Sequence, residues 1–161
     1  GFTGLTTLIK EIREFIPHNI FLEFEPGRIL GYQAGKAYAE VLDVVSTSEG
    51  WDITLNISAG CHLWWSKPKL VINEKPEPGA LLKKIRFFGP TCAENDCIGI
   101  FQLPTPYQIG DQVCFHNIST YSLMWNRQFN GCLRLKLFGK EMYKYNDFAK
   151  CSKSKICLRV F

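Results

Sequence analysis

No apolar run among the 161 residues approaches the ~18 needed to cross a bilayer, which excludes a membrane-spanning helix. Gly1 to Lys10 lack the basic start, apolar centre and small-residue cleavage site of a secretory signal, so a cytoplasmic protein is expected. Charge of one sign is also scarce. The 19 basic and 15 acidic residues leave a net +4, and the basic residues are scattered, which argues against a nucleic-acid partner. There is no CxxC, and the three histidines, His18, His62 and His116, form no cluster at metal spacing, so no metal is expected. What is present is ordinary for a globular chain: 46% hydrophobic and 21% charged residues, enough for one domain or one domain plus a remnant. The odd count of seven cysteines, three of them inside apolar stretches (Cys114, Cys132, Cys157), is expected to be buried free thiols in a reducing compartment. The Asn-x-Ser sequons at Asn56 and Asn117 are taken as chance.

The chain changes character after Arg28. Leu5, Leu8, Ile9, Ile12, Phe15 and Ile16 recur at three and four residues, which predicts an amphipathic helix over 5–16, ended by Pro17. The apolar run 19–24 predicts a buried strand that stops at Glu25-Pro26. Short β-like runs then recur near 37–46, 51–58, 69–73, 84–88, 97–102, 111–116, 131–138 and 155–160, separated by Gly and Pro turn signals. Residues 120–128 suggest a helical turn. The fold class expected is mainly β: an antiparallel β-barrel, residues 29–161, preceded by a helix-strand remnant of an α/β barrel, residues 1–28. One helix-strand unit cannot bury its own apolar faces, so a segment before Gly1 is expected to be missing.

Three short stretches could carry chemistry. Glu25-Pro26-Gly27-Arg28 puts a carboxylate and a guanidinium around a tight turn; it serves as an ion-paired strand exit or as a cofactor contact. Gly89-Pro90-Thr91-Cys92 carries a thiol into Ala93-Glu94-Asn95-Asp96. This is either a structural loop in which Asp96 caps backbone amides, or a proton donor, since a thiol of reference pKa near ~8.5 exchanges protons near neutrality. Tyr121, and Phe129-Asn130-Gly131 eight residues on, are core and turn residues or the wall of a pocket with a phosphate ligand.

In this order the stretches resemble the fold-type III pyridoxal 5'-phosphate (PLP) decarboxylases, the family of the ornithine, arginine, diaminopimelate and carboxynorspermidine enzymes. EPGR (Glu25–Arg28), GPTC (Gly89–Cys92) with Asp96 four residues on, Tyr121 about thirty residues later and FNG (Phe129–Gly131) are its landmarks, and the resemblance runs from Gly1 to Phe138. It implies that Glu25 pairs with the pyridine nitrogen of PLP and keeps it protonated. Arg28 and Tyr121 would hold the 5'-phosphate, with Gly27 in the same turn and Gly1 at the end of a glycine-rich phosphate loop. Cys92 would return a proton after CO2 loss, reaching across a homodimer interface into the partner's site. Ala93, Glu94, Phe129, Asn130 and Trp65 would line the substrate side, Trp65 serving equally well as core.

The chain also departs from the family. The lysine that holds PLP covalently lies on the family's first barrel strand, and no lysine here sits in a matching motif. This chain alone is therefore expected to be inactive, the lysine-bearing segment coming from a missing N-terminal part or a second polypeptide. Ala93 stands where the ornithine and diaminopimelate enzymes carry an acid. With Asn56–Leu63, it places the chain nearest the carboxynorspermidine branch. Two other readings stay open: a non-catalytic homologue that regulates an active partner by dimerising with it, and a generic β-barrel binding module. The tail 139–161 matches nothing.

Overall fold

The structure is a computed structural model that describes residues 2–25, 27–72, 76–138 and 157–160. Gly1, offered above as a phosphate contact, and most of the unplaced tail lie outside the described residues. The chain divides into two compact units, Gly1–Leu30 and Gly31–Phe161.

In the first unit α1 spans Phe2–Phe15. The predicted apolar spacing forms it, and Arg13 closes it: its guanidinium donates to the carbonyls of Ile20 (2.8 Å) and His18 (3.3 Å) just past the helix end. The strand expected over 19–24 does not form. A strand needs hydrogen-bonding neighbours, and no described strand pairs with this stretch. α2 follows at Arg28–Gly31. None of the described side chains of this unit is buried; Phe15 and Phe21 are 86% and 85% exposed.

The second unit contains β1 (Gly35–Thr47), β2 (Gly50–Leu55), α3 (Ala59–His62), β3 (Lys69–Leu70), β4 (Lys83–Phe88), β5 (Cys97–Leu103) and β6 (Gln112–Ile118). After these come α4 (Tyr121–Met124), a 3-10 turn at Phe129–Gly131, β7 (Lys136–Phe138) and β8 (Cys157–Val160). The strands form one sheet in the order β3-β6-β1-β2-β4-β5, with β8 joining β1 to β7. The result is a nearly closed barrel, in keeping with the predicted fold class. β1 turns the corner. Its first half pairs with β6 and, at Gly35–Tyr38, also with β8, while its second half pairs with β2 past a bulge between Val41 and Asp43.

Two pairings correct the all-antiparallel expectation: β2 with β4 and β7 with β8 are parallel. A parallel pair needs a crossover of a dozen or more residues, and the chain from β2 to β4 supplies one through α3 and β3. The core follows strand alternation. Ala37, Ala39 and Val41 of β1, Ile53 and Leu55 of β2, Ile85 and Phe87 of β4, and Val113 and Phe115 of β6 all point inward. Phe87 meets Phe101, Phe115 and Tyr107 with ring centroids 5.6–5.8 Å apart. Full burial of Phe87 and Phe115 contributes about 1.5–3 kcal/mol each.

The strand expected over 131–138 is shortened to β7 because side chains take its backbone groups. Asn126 accepts from Leu135 N (2.9 Å) and donates to Leu135 O (3.3 Å), and His62 binds Leu133 O (3.0 Å). Cys61 and Cys132 are buried and Cys114 half-buried, but Cys92 and Cys97 are exposed, which corrects the expectation of uniformly buried thiols. Neither sequon asparagine is free: Asn117 is buried, and Asn56 Oδ1 accepts from Glu40 N (2.9 Å). Among the described residues no helix is long and apolar enough to cross a membrane, and no group of three or more His, Cys, Asp or Glu could hold a metal.

Candidate functional site

The Gly89–Asp96 loop joins β4 to β5 and is closed by its own backbone, Gly89 N to Asp96 O (2.7 Å) and Asp96 N to Ala93 O (2.9 Å). The Asp96 side chain is buried beneath it. One carboxylate oxygen accepts from Ser58 Oγ (2.8 Å), Ala59 N (2.6 Å) and Gly60 N (3.4 Å), the other from Thr91 Oγ1 (2.6 Å) and Thr91 N (3.2 Å). A buried carboxylate is costly unless it is fully hydrogen-bonded, and these donors meet that need. They also weld the thiol-bearing loop to the start of α3. Gly89 is required here because a Cβ would collide with the Asp96 carboxylate. The capping role read for Asp96 from the sequence is realised.

α3 ties down a second loop. Ser58 caps it, accepting from Cys61 N (3.0 Å). His62 is buried; its Nδ1 accepts from Ser58 N (3.0 Å), so its Nε2–H donates to Leu133 O (3.0 Å). Burial holds its pKa below the ordinary imidazole value, against the opposing pull of the Leu133 carbonyl and the Asp96 charge. The Cys61 thiol lies 4.0 Å from Phe129 O. Burial and the neighbouring Cys61 thiol push Cys132 up to about 12, so it stays protonated.

Between these anchors the two loops meet. Cys92 is exposed, and Asn130 Nδ2 donates to its sulfur at 2.9 Å. Asn130 adopts the left-handed conformation (φ 51, ψ 37), followed by Gly131 at φ 75. Thr91, Ala93, Asp96, Arg127 and Phe129 line a cavity of about 270 Å3 beside the pair. Arg127 stacks on Trp125 at 4.0 Å from the ring centroid.

The structure thus gathers Cys92, Ala93, Phe129 and Asn130. Glu94 is exposed and outside the cavity lining. Trp65 lies elsewhere, half-buried against Tyr121 (6.1 Å) and Trp125 (5.7 Å), and Tyr121 opens α4 partly exposed. Glu25 and Gly27 are exposed in the first unit, and for Arg28 the description stops at its backbone, the first residue of α2. Sequence reasoning missed Arg127, Asn126 and the bonding of His62; only Ser58, a cap residue ahead of a short helix, left a readable signal.

Decarboxylases are among the solved structures with this fold. The lysine/ornithine decarboxylase of Vibrio vulnificus with putrescine superposes with a TM-score of 0.68 at 20% identity, covering 84% of this chain and 37% of that one. The Paramecium bursaria Chlorella virus arginine decarboxylase with agmatine gives 0.65 at 21%, covering 77% and 36%. This likeness establishes the fold. No protein-family model matches the chain. In sequence the chain is homologous, at low identity, to two curated decarboxylases. It is 26% identical over 156 residues to the carboxyaminopropylagmatine decarboxylase of Synechocystis, covering 85% of the chain and 40% of the relative. It is 26% identical over 141 residues to the carboxynorspermidine/carboxyspermidine decarboxylase of Campylobacter jejuni, covering 79% and 36%. The chain therefore spans about two fifths of the length of the curated relatives it matches.

Proposed function

We propose that these residues are the C-terminal portion of a PLP-dependent amino-acid decarboxylase. The observation that carries this reading is Cys92, held exposed beside a cavity by Asn130 and by the buried Asp96 clamp, in a chain similar to decarboxylases over most of its length. Residues 1–28 are the remnant of the PLP-binding barrel and 29–161 the β domain. The substrate is a diamino acid or an aminocarboxypropyl-type amine of the carboxynorspermidine kind. Ala93, which leaves room without a charge, and the names of the two curated relatives support this choice.

The donor set fits PLP in kind. Glu25 offers a carboxylate for the ring nitrogen. Arg28, Tyr121, Gly27 and Gly1 offer a cation, a phenol and backbone amides for the phosphate. The covalent anchor comes from a lysine-bearing N-terminal segment or a second polypeptide, because no lysine of this chain sits in the family's lysine motif. When bound, the cofactor supplies the electron sink for CO2 loss. This chain's part is to keep the ring nitrogen protonated through Glu25, to orient the substrate among Ala93, Phe129 and Asn130, and to deliver a proton from Cys92 Sγ. The assembly is a cytoplasmic homodimer with sites at its interface, serving amino-acid or polyamine metabolism.

The test joins the chain to the part of the Synechocystis relative it does not cover, reduces the product with borohydride and measures intact mass. A phosphopyridoxyl adduct on the added lysine, with formation of the amine product lost in Cys92→Ala, is expected. A folded assembly that binds no PLP overturns the reading. A chain that dimerises with an active decarboxylase and changes its rate, without contributing Cys92, would establish the regulatory homologue instead.

A further inference from the structure

We propose that Asn130 is a positioning residue for Cys92: its carboxamide fixes the exposed sulfur between the two loops and stabilises it once the proton has left. The inference rests on the reading above only for where that proton goes.

The geometry is direct. Asn130 Nδ2 lies 2.9 Å from Cys92 Sγ. An amide nitrogen donates and does not accept, so the sulfur is the acceptor and its own S–H points to another partner. When Cys92 acts as an acid, the S–H bond breaks and its electron pair stays on sulfur. The proton forms a C–H bond at the substrate carbon that has lost CO2. The N–H···S contact then becomes charge-assisted, and such bonds are about twice as strong as neutral ones. Asn130 therefore favours the product side of the transfer and receives the proton-poor form in the geometry it already holds.

The contact is built from buried parts, although both side chains are exposed. α3 is the common frame. Ser58 Oγ, at its cap, grips Asp96 under the Cys92 loop. From the same short helix, the Cys61 thiol approaches Phe129 O and His62 holds Leu133 O, one residue before and three after Asn130. Two loops that share one anchor keep their separation. The backbone at Asn130 then aims the amide. Its left-handed φ of 51 is a conformation asparagine tolerates better than most residues, and Gly131 at φ 75 carries the chain away.

The experiment measures iodoacetamide alkylation of Cys92 on the full chain, resolved by peptide mass so that Cys97 serves as an internal reference. Asn130→Gly suits the left-handed backbone and removes the side chain with its amide; Asn130→Asp keeps the size and replaces the donor with a repelling carboxylate. Alkylation consumes the thiolate, so loss of a charge-assisted bond slows Cys92 about three- to ten-fold in Asn130→Gly and more in Asn130→Asp, with Cys97 unchanged. A residue that merely covers the sulfur gives the opposite sign, because removing it speeds alkylation. A Cys92 rate in Asn130→Gly equal to or above the parent's overturns the proposal. No cofactor enters this measurement, so failure of Asn130 to act on Cys92 is distinct from failure of the assembled enzyme to decarboxylate.

Discussion

In Gly31–Phe161 the largest fully buried side chains, Phe87 and Phe115, have no exposed surface, whereas in Gly1–Leu30 Phe15 and Phe21 keep nearly all of theirs. The same contrast holds for the carboxylates. Asp96 is buried and saturated by donors within its own unit, while Glu25 is exposed. The second unit carries its core with it and fixes Cys92 from inside. The first has an amphipathic helix whose apolar stripe needs a surface to rest on, and it leaves Glu25 in solvent.

The contrast is broken most forcefully at Asp96. Asp96→Asn keeps the shape but turns one acceptor oxygen into a donor facing Thr91 or Ser58. It should cost the barrel about 2–4 kcal/mol, read as a lowered denaturant midpoint at unchanged slope. Glu25→Gln should stay within ~0.5 kcal/mol. Equal losses from the two would erase the distinction between the buried and the exposed carboxylate.

A smaller effect is expected at His62. Its pKa is depressed on folding, so the unfolded chain takes up a proton at pH values where the folded chain does not. The stability this contributes is complete above the unfolded value near ~6.5 and is lost as pH falls below it, by at most about 1.4 kcal/mol per pH unit. Urea titrations at pH 7.5 and 5.5 check this: His62→Gln, which removes the titration, should flatten the difference. The smallest effect belongs to Phe21→Ser. It should leave the barrel's melting temperature unchanged while reducing self-association in light scattering, which would locate the unfinished surface in the first unit. A lowered melting temperature would assign Phe21 to the barrel's own core.

Much of this was legible beforehand, for physical reasons. Strand alternation marks β1, β2, β4 and β6 because one face of each is buried, and the spacing of Leu5 to Ile16 marks α1. The run 19–24 reads as a strand for the same reason and is none, since pairing is a property of neighbours and not of the run itself. At the site, the GPTC loop and its Asp96 cap follow from turn chemistry. The Cys92–Asn130 contact does not, because it joins residues far apart in sequence through α3. His62 and Asn126 are likewise invisible as partners of 131–135, because their hydrogen bonds exist only once the barrel is closed.

The double pairing of Gly35–Tyr38 bears on how the barrel comes into being. On one side this stretch waits for β6, and on the other for β8, more than a hundred residues further along. Closing loops of that size carries an entropic cost before any contact rewards it, and folding rates fall with the mean sequence separation of contacts. Until β8 arrives, a row of unpaired amides and carbonyls lies open to strands of other molecules. Refolding from denaturant should therefore be slow and sensitive to protein concentration, and a short peptide copying Cys157–Val160 should compete for that edge.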